Sequence, residues 1–314
     1  MTKKLSLALC LLIATPLAAY IPQRRSIDGA VTAVRWSTDS FPIEWRMNPI
    51  VGQNVTGSRE QADVFRDAFA EWAGISTAAI SFIAGSPTNL DVKPGFDQIN
   101  LITTHVTALD FNSGAVGLTG AFSFDSTGLD EFGRTIEFKG QIIEADIMFN
   151  PGTIFSTSPT TPGGFIDLQS VATHEVGHLL GLDHSNILSS TMFPTIVTDV
   201  NFPRNAQIDD RSGVSSIYPD TSFSQLGALG GTVRTTGNET VFGAMVVVLD
   251  ANGQAVASAV TDPNGQYTIQ GLPAGTYTVY AEPMNQPFRT SDAFSLSFAY
   301  PGQTVNSSFT VRYR

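Results

Sequence analysis

The sequence predicts two units, an α+β domain followed by an all-β sandwich. A helix-period run over residues 58–72 places Phe65, Phe69 and Trp72 along one face, among short alternating strands. A second helical run begins near Asp167 and continues through Leu168, Val171, His174 and His178. After Pro219 the pattern changes to short β-runs separated by Asn-Gly turn signals. A chain of 314 residues is long enough for two cores. The expected layout is a leader at 1–19, the α+β domain at 28–219, a linker at 220–228 and the sandwich at 229–314.

The leader reads as a secretory signal peptide. Lys3 and Lys4 supply the positive start, residues 5–14 the apolar run, and Pro16-Leu17-Ala18-Ala19 the small-residue exit. About ten apolar residues fall short of the roughly 20 needed to cross a bilayer. A secreted, extracellular protein with no transmembrane segment is therefore expected. The only cysteine, Cys10, lies in this leader, and Leu9 is wrong for the residue before a lipoprotein cysteine. No disulfide is expected in the mature chain. Arg24-Arg25 reads either as a processing site or as a solvated surface pair. The net charge of −11 lacks the basic footprint of nucleic-acid binding.

Along the α+β domain, the alternation within 39–48 predicts a first strand, and Ser58 with Gln61 predicts a capping box for the following helix. Further strands are expected at 80–83, 98–102, 115–122 and 142–150. In the C-terminal unit, β-runs fall at 231–234, 244–249, 255–260, 266–269 and 276–280. Asn252-Gly253 and Asn264-Gly265 are the hairpin-turn signals between them.

Chemistry concentrates at residues 174–184, where three of the chain's four histidines lie. His174 and His178 are four residues apart, so on a helix both imidazoles leave one face a turn apart. Glu175 projects beside them and can reach a metal-bound water without being a ligand. A catalytic zinc takes three protein ligands and keeps an open position. Gly181 tolerates the left-handed conformation that ends a helix, letting the chain turn back and deliver His184 as the third ligand. A closed structural site would need a fourth donor, and no nearby cysteine supplies one.

This HExxHxxGxxH segment resembles the metzincin metalloproteases and, within them, the matrixins. His184 is followed by Ser185, and Met192 in Ser190-Thr191-Met192-Phe193-Pro194 resembles the matrixin Met-turn. Pro194 stands where astacin-like and serralysin-like relatives have a tyrosine. The resemblance covers roughly 30–219 and implies a twisted, mostly parallel sheet with an antiparallel edge strand, plus three helices. It implies one catalytic zinc, held by His174, His178 and His184, with Glu175 as general base. Gly117, Leu118 and Thr119 would lie on the edge strand that receives substrate, and Pro194, Thr195 and Ile196 on the pocket wall, where Ile196 replaces an expected tyrosine. Thr119 stands where a histidine of a second, structural zinc would be, so no second zinc is expected. His105 reads as a structural or surface histidine. Asp125, Asp130 and Glu131 could offer oxygens to calcium, but no EF-hand-like spacing supports this, and a solvated acidic loop reads equally well. Asp209 and Asp210 resemble the pair that supports the Met-turn and the mature N-terminus; they read equally as helix-start carboxylates. The cysteine switch of many matrixins has no cysteine here to form it.

Residues 261–267 and 271–277 resemble the carboxypeptidase-regulatory-like (transthyretin-like) module. It holds no histidine or cysteine, which implies an accessory role in binding a surface or another protein. The expected function is thus a secreted zinc endopeptidase acting on a protein or peptide substrate. Two alternatives stay open: an adhesion or surface-binding protein with an inert zinc site, and a hydrolase of non-peptide amides or esters.

Overall fold

The structure is a computed structural model. It describes residues 22–313 except 92–95, 108–110, 112–113, 131, 186, 197–202, 285–299, 306–308 and 310–311. The leader with Cys10, and Glu131, lie outside the described residues.

The chain opens with a hairpin of β1 (Arg24–Ile27) and β2 (Ala30–Ala33), followed by β3 (Arg35–Trp36). The expected first strand is therefore preceded by three others. Asp28 and Gly29 both have positive φ, 51° and 80°, as a two-residue Asp-Gly hairpin turn requires. β4 (Ile43–Met47) and the short β5 (Val55–Thr56) lead into α1 (Gln61–Ala73). The Ser58–Gln61 capping box does not form: the N-cap is Glu60, without a side-chain cap bond. Gln61 is committed elsewhere, because its buried side chain donates to Asn48 O at 3.2 Å and accepts from Thr104 Oγ1 at 2.8 Å.

β6 (Phe82–Ala84), β7 (Asn100–Thr103), β8 (Gly117–Ser123), the pair β9 (Gly128–Leu129) and β10 (Thr135–Ile136), and β11 (Gln141–Phe149) follow. In the main sheet β6, β4, β7, β11 and β3 are parallel to their partners. β8 alone runs antiparallel, pairing with β11 from Gly117↔Phe149 to Ser123↔Ile142. β8 is an outer edge of the sheet. β12 (Phe155–Ser156) and β13 (Ile166–Asp167) then lead into α2 (Leu168–Leu179), and α3 (Ile208–Ile217) completes the unit. This is the mostly parallel sheet with an antiparallel edge and three helices that the resemblance implied.

The core forms between the helices and the sheet. α1 buries Val64, Phe65, Ala68, Phe69 and Trp72. Phe69 stacks on Trp45 at 4.4 Å between ring centroids, and Trp72 Nε1 donates to Thr173 O of α2 at 2.8 Å. The buried C-terminus of α2 leaves carbonyls that its own helix cannot satisfy. Trp36 Nε1 donates to Leu179 O at 2.8 Å, and the Tyr218 hydroxyl donates to Leu180 O at 2.7 Å.

The expected linker is ordered. Thr221–Gln225 forms a 3-10 turn, with Asp220 N donating to Thr77 O and Ser222 Oγ to Ser76 O. Beyond it stand two sheets: β14 (Gly227–Thr232) with β17 (Gln266–Leu272), and a second sheet in the order β16 (Ala255–Val260), β15 (Ala244–Leu249), β18 (Thr278–Pro283), β19 (Arg312–Tyr313). All these pairings are antiparallel. Asn252-Gly253 closes the β15–β16 hairpin as expected. Asn264-Gly265 forms a tight turn but not a hairpin, because β16 and β17 lie in different sheets. The buried Asp262 carboxylate accepts from Asn264 N and Gln266 N, turning the chain from one sheet into the other. Among the described residues no helix is long and apolar enough to cross a membrane.

Candidate metal centre and substrate cleft

α2 starts at Asp167, which caps the helix by accepting from Ser170 N at 2.7 Å. Burial alone would raise the Asp167 pKa, but hydrogen bonds from Arg204, Thr161 and Ser170 outweigh it and hold the carboxylate below its ordinary range. From this fixed start, His174 and His178 come to one face of the helix. The helix ends at Gly181, whose φ is +89°; Gly181 N donates to His178 O and Leu182 N to Gly177 O. This is the Schellman closure that reverses the chain. A β-carbon at Gly181 would also lie 2.4 Å from Val34 O. The reversal brings His184 back, and the ligand atoms of His174, His178 and His184 all lie within 4.8 Å of one another.

Two of the rings are oriented by carbonyls. His174 Nδ1 lies 2.7 Å from Thr191 O and His178 Nδ1 2.8 Å from Leu182 O. A carbonyl only accepts, so each Nδ1 carries the proton and Nε2 is left as the ligand atom. Burial and the neighbouring His178 charge push His174 down to about 3, against the Thr191 hydrogen bond. Burial, then His178 and His174, hold His184 well below its ordinary value. Three converging imidazoles are a ligand set a zinc ion takes, so the donor set fits the implied metal.

Glu175 sits beside this cluster, 4% exposed. Burial raises its pKa; His178 and a hydrogen bond from Thr119 oppose the shift. Thr119 Oγ1 lies 2.7 Å from Glu175 Oε2 and 3.0 Å from Glu175 O. Thr119 stands where the resemblance implies a histidine, and the structure turns its hydroxyl onto the Glu175 carboxylate. Gly117 makes room on the same strand: a β-carbon there would stand 2.5 Å from Glu175 Oε1.

A cleft of about 850 Å³ opens over the histidines. Gly117, Leu118 and Thr119 of β8 line one side; Pro194, Thr195 and Ile196 line it beyond Met192. Gln23 and Arg25 line it as well and were missed as site residues. Gln23 Nε2 donates to His178 O and Leu182 O at 3.4 and 3.3 Å, and Gln23 N donates to Gly181 O. Arg25 is paired with Asp125 and donates to Ser123 O, and its side chain remains partly exposed. The Asp28-Gly29 turn signal was the feature that could have revealed this hairpin.

Of the other acidic candidates, Asp130 is engaged locally: it pairs with Arg134 and accepts from Phe132 N and Arg134 N. His105 is half-buried in a turn whose backbone bonds Thr103 Oγ1, and it lies outside the histidine cluster.

Met192 is buried beneath the cluster, 2% exposed. Asp210 accepts from Thr191 N, Met192 N, Gln207 N and Ser190 Oγ, which fixes the turn. Asp209 faces away, accepting from Ser185 Oγ and, at 2.8 Å, from Ser258 N. Among the described residues, the donors at Asp209 are thus a serine hydroxyl and a sandwich backbone, not an N-terminus. Burial and the adjacent Asp210 push Asp209 up to about 8. Gly177 faces the Met-turn: a β-carbon there would lie 2.3 Å from Met192 Sδ and 2.9 Å from Trp72 Cζ2. Gly177→Ala is expected to destabilise the protein by about 1–3 kcal/mol through overpacking. An unchanged melting midpoint would contradict that contact.

These features define a histidine-rich, metal-capable cleft on a mixed α/β scaffold. The matrixin family model matches residues 35–219, more than half of the chain, and the carboxypeptidase regulatory-like domain model matches 228–310. The chain belongs to the matrixin family. Metalloendoproteinase 4-MMP of Arabidopsis thaliana is 32% identical over 160 residues, 49% of this chain and 39% of that protein. Karilysin of Tannerella forsythia is 32% identical over 160 residues, 51% of this chain and 29% of that protein. Matrix metalloproteinase-21 of Xenopus laevis is 29% identical over 178 residues, 56% and 25% respectively. The chain thus spans well under half the length of these relatives.

Proposed function

We propose that this protein is a secreted zinc-dependent endopeptidase. The observation that carries the reading is the convergence of His174, His178 and His184 beside Glu175, under the edge strand β8. The three histidines would hold the zinc, with Met192 in the turn beneath them. When bound, the ion supplies Lewis-acid polarisation of the scissile carbonyl and lowers the pKa of water. Glu175 takes the proton of the attacking water and returns it to the leaving amine. Its raised pKa suits it to both roles, and Thr119 fixes its orientation.

An extended peptide adds to β8 as a further strand, since an edge strand offers unpaired backbone groups. Gly117, Leu118 and Thr119 form that rim through their backbone, while Pro194 and Ile196 shape the opposite wall. The names of the matched relatives, two of them metalloproteinases of plant and animal origin, support the activity class. Secretion rests on the leader pattern of residues 1–19. The proposed division into 28–219 and 229–314 draws support from separate family matches at 35–219 and 228–310.

The test is cleavage of an unstructured protein such as casein. Turnover is expected to vanish in a zinc chelator and to return when zinc is added back. Cleavage that persists in the chelator, or no cleavage by zinc-loaded protein, overturns the reading.

A further inference from the structure

The segment between His184 and Met192 is gripped by the C-terminal sandwich at two independent points. The first is apolar. Ile187 is 4% exposed and belongs to a buried cluster whose other members, Phe242, Met245, Val247, Val260 and Met284, all come from the sandwich. The strand β15 explains how. Its side chains alternate, so Val246 and Val248 join the main core while Met245 and Val247 join the cluster around Ile187.

The second point is polar. β16 is an edge strand, and an outward backbone N–H there needs a partner. Ser258 N donates to Asp209 Oδ1 at 2.8 Å, and Asp209 Oδ2 accepts from Ser185 Oγ. Ser185 Oγ in turn accepts from Ile187 N at 3.0 Å, and Ser185 N donates to Met192 O at 2.8 Å. An unbroken set of hydrogen bonds therefore runs from the sandwich edge to the residue after His184 and on to the Met-turn. α3, the last helix of the first unit, also meets the sandwich: Ser212 Oγ donates to Gln270 O, and a β-carbon at Gly271 would lie 3.0 Å from Ser212 Oγ and 3.1 Å from Ser212 Cα.

We propose that the sandwich is a positioning element of the metal centre, and that Ile187, Asp209 and Ser258 hold the loop carrying His184 and Met192 in its ligand-bearing conformation. This gives the C-terminal unit a structural role in the site itself, beyond any accessory binding. The consequence for zinc rests on the metal-site reading above; the coupling of sandwich to loop does not.

The experiment is amide hydrogen exchange on full-length, chelator-stripped protein, comparing wild type with Ile187→Ser, Asp209→Ala and Asp209→Asn. Protection of Ser185 and Met192 is expected to fall in Ile187→Ser and Asp209→Ala, while α1 amides stay protected. Asp209→Asn is expected to retain protection, because its amide oxygen still accepts from Ser258 N and its NH2 can donate to Ser185 Oγ. On adding zinc, the two disrupted variants are expected to bind about 10–100-fold more weakly than wild type, as removal of outer supporting groups does elsewhere. Unchanged protection over 184–192 overturns the proposal, as does an equal loss in α1, which would make the effect global. If wild-type protein binds no zinc, the metal-site reading fails, while the exchange data still decide the coupling.

Discussion

Glu175→Ala is expected to lower kcat/KM for peptide cleavage by about 10²–10⁴-fold, the usual range for loss of a positioned acid-base group. Bound zinc should be unchanged, because the proposed role of the carboxylate lies in proton transfer and not in the imidazole ligand set. The geometry makes this a clean separation. Glu175 is oriented from the β8 side by Thr119, whereas His174 and His178 are oriented by Thr191 O and Leu182 O. Removing the carboxylate leaves both carbonyl contacts in place. Kinetics with zinc content measured on the same preparation check it: a kcat/KM within a few-fold of wild type sinks the role of Glu175.

Asp210→Asn is expected to be the most damaging substitution outside the histidine cluster. The carboxylate is 1% exposed and accepts from three backbone N–H groups and one hydroxyl, using both oxygens. An asparagine of the same size must place its NH2 at one of the two oxygen positions. At Oδ2 it faces Thr191 N and Gln207 N; at Oδ1 the Ser190 hydroxyl can reverse but Met192 N cannot. At least one buried backbone N–H therefore faces a donor. Each such unsatisfied group costs about 1–3 kcal/mol, so a loss of at least about that size is expected for the network. Thr191 carries both the carbonyl that orients His174 and one of the affected N–H groups, so zinc affinity should fall with stability. Denaturant unfolding checks the first part and metal titration the second. The contrast with Asp209→Asn is instructive, since one Asp209 oxygen meets a hydroxyl that can reverse its role, whereas both Asp210 oxygens meet backbone N–H groups.

Much of this arrangement is legible in the sequence because it rests on local rules. The spacing of His174, His178 and His184 with Gly181 dictates a helix face and a reversal, and the structure places the three rings together through a Schellman closure. The helical periodicity of Phe65, Phe69 and Trp72 likewise predicts a buried face. What escaped depends on contacts between segments distant in sequence. Gln61 leaves its expected capping partner for Asn48 and Thr104, over separations that no local pattern encodes. Asn264-Gly265 turns the chain as its residue types demand, but which sheet receives the next strand is decided by packing. Thr119 looked like a missing ligand because position alone was visible; its hydroxyl partner lies 56 residues away. The sandwich pattern hid its hold on the metal loop for the same reason, since Ile187 is an ordinary hydrophobic residue until its neighbours are known.

The central claim is that His184, delivered by the reversal at Gly181, completes a site with His174 and His178. X-ray absorption at the zinc edge of the loaded protein tests it most directly. Three imidazole nitrogens at about 2.0–2.1 Å with no sulfur neighbour are expected, and two in His184→Ala. Fewer than three imidazoles in the wild type, or an unchanged spectrum in His184→Ala, would contradict it.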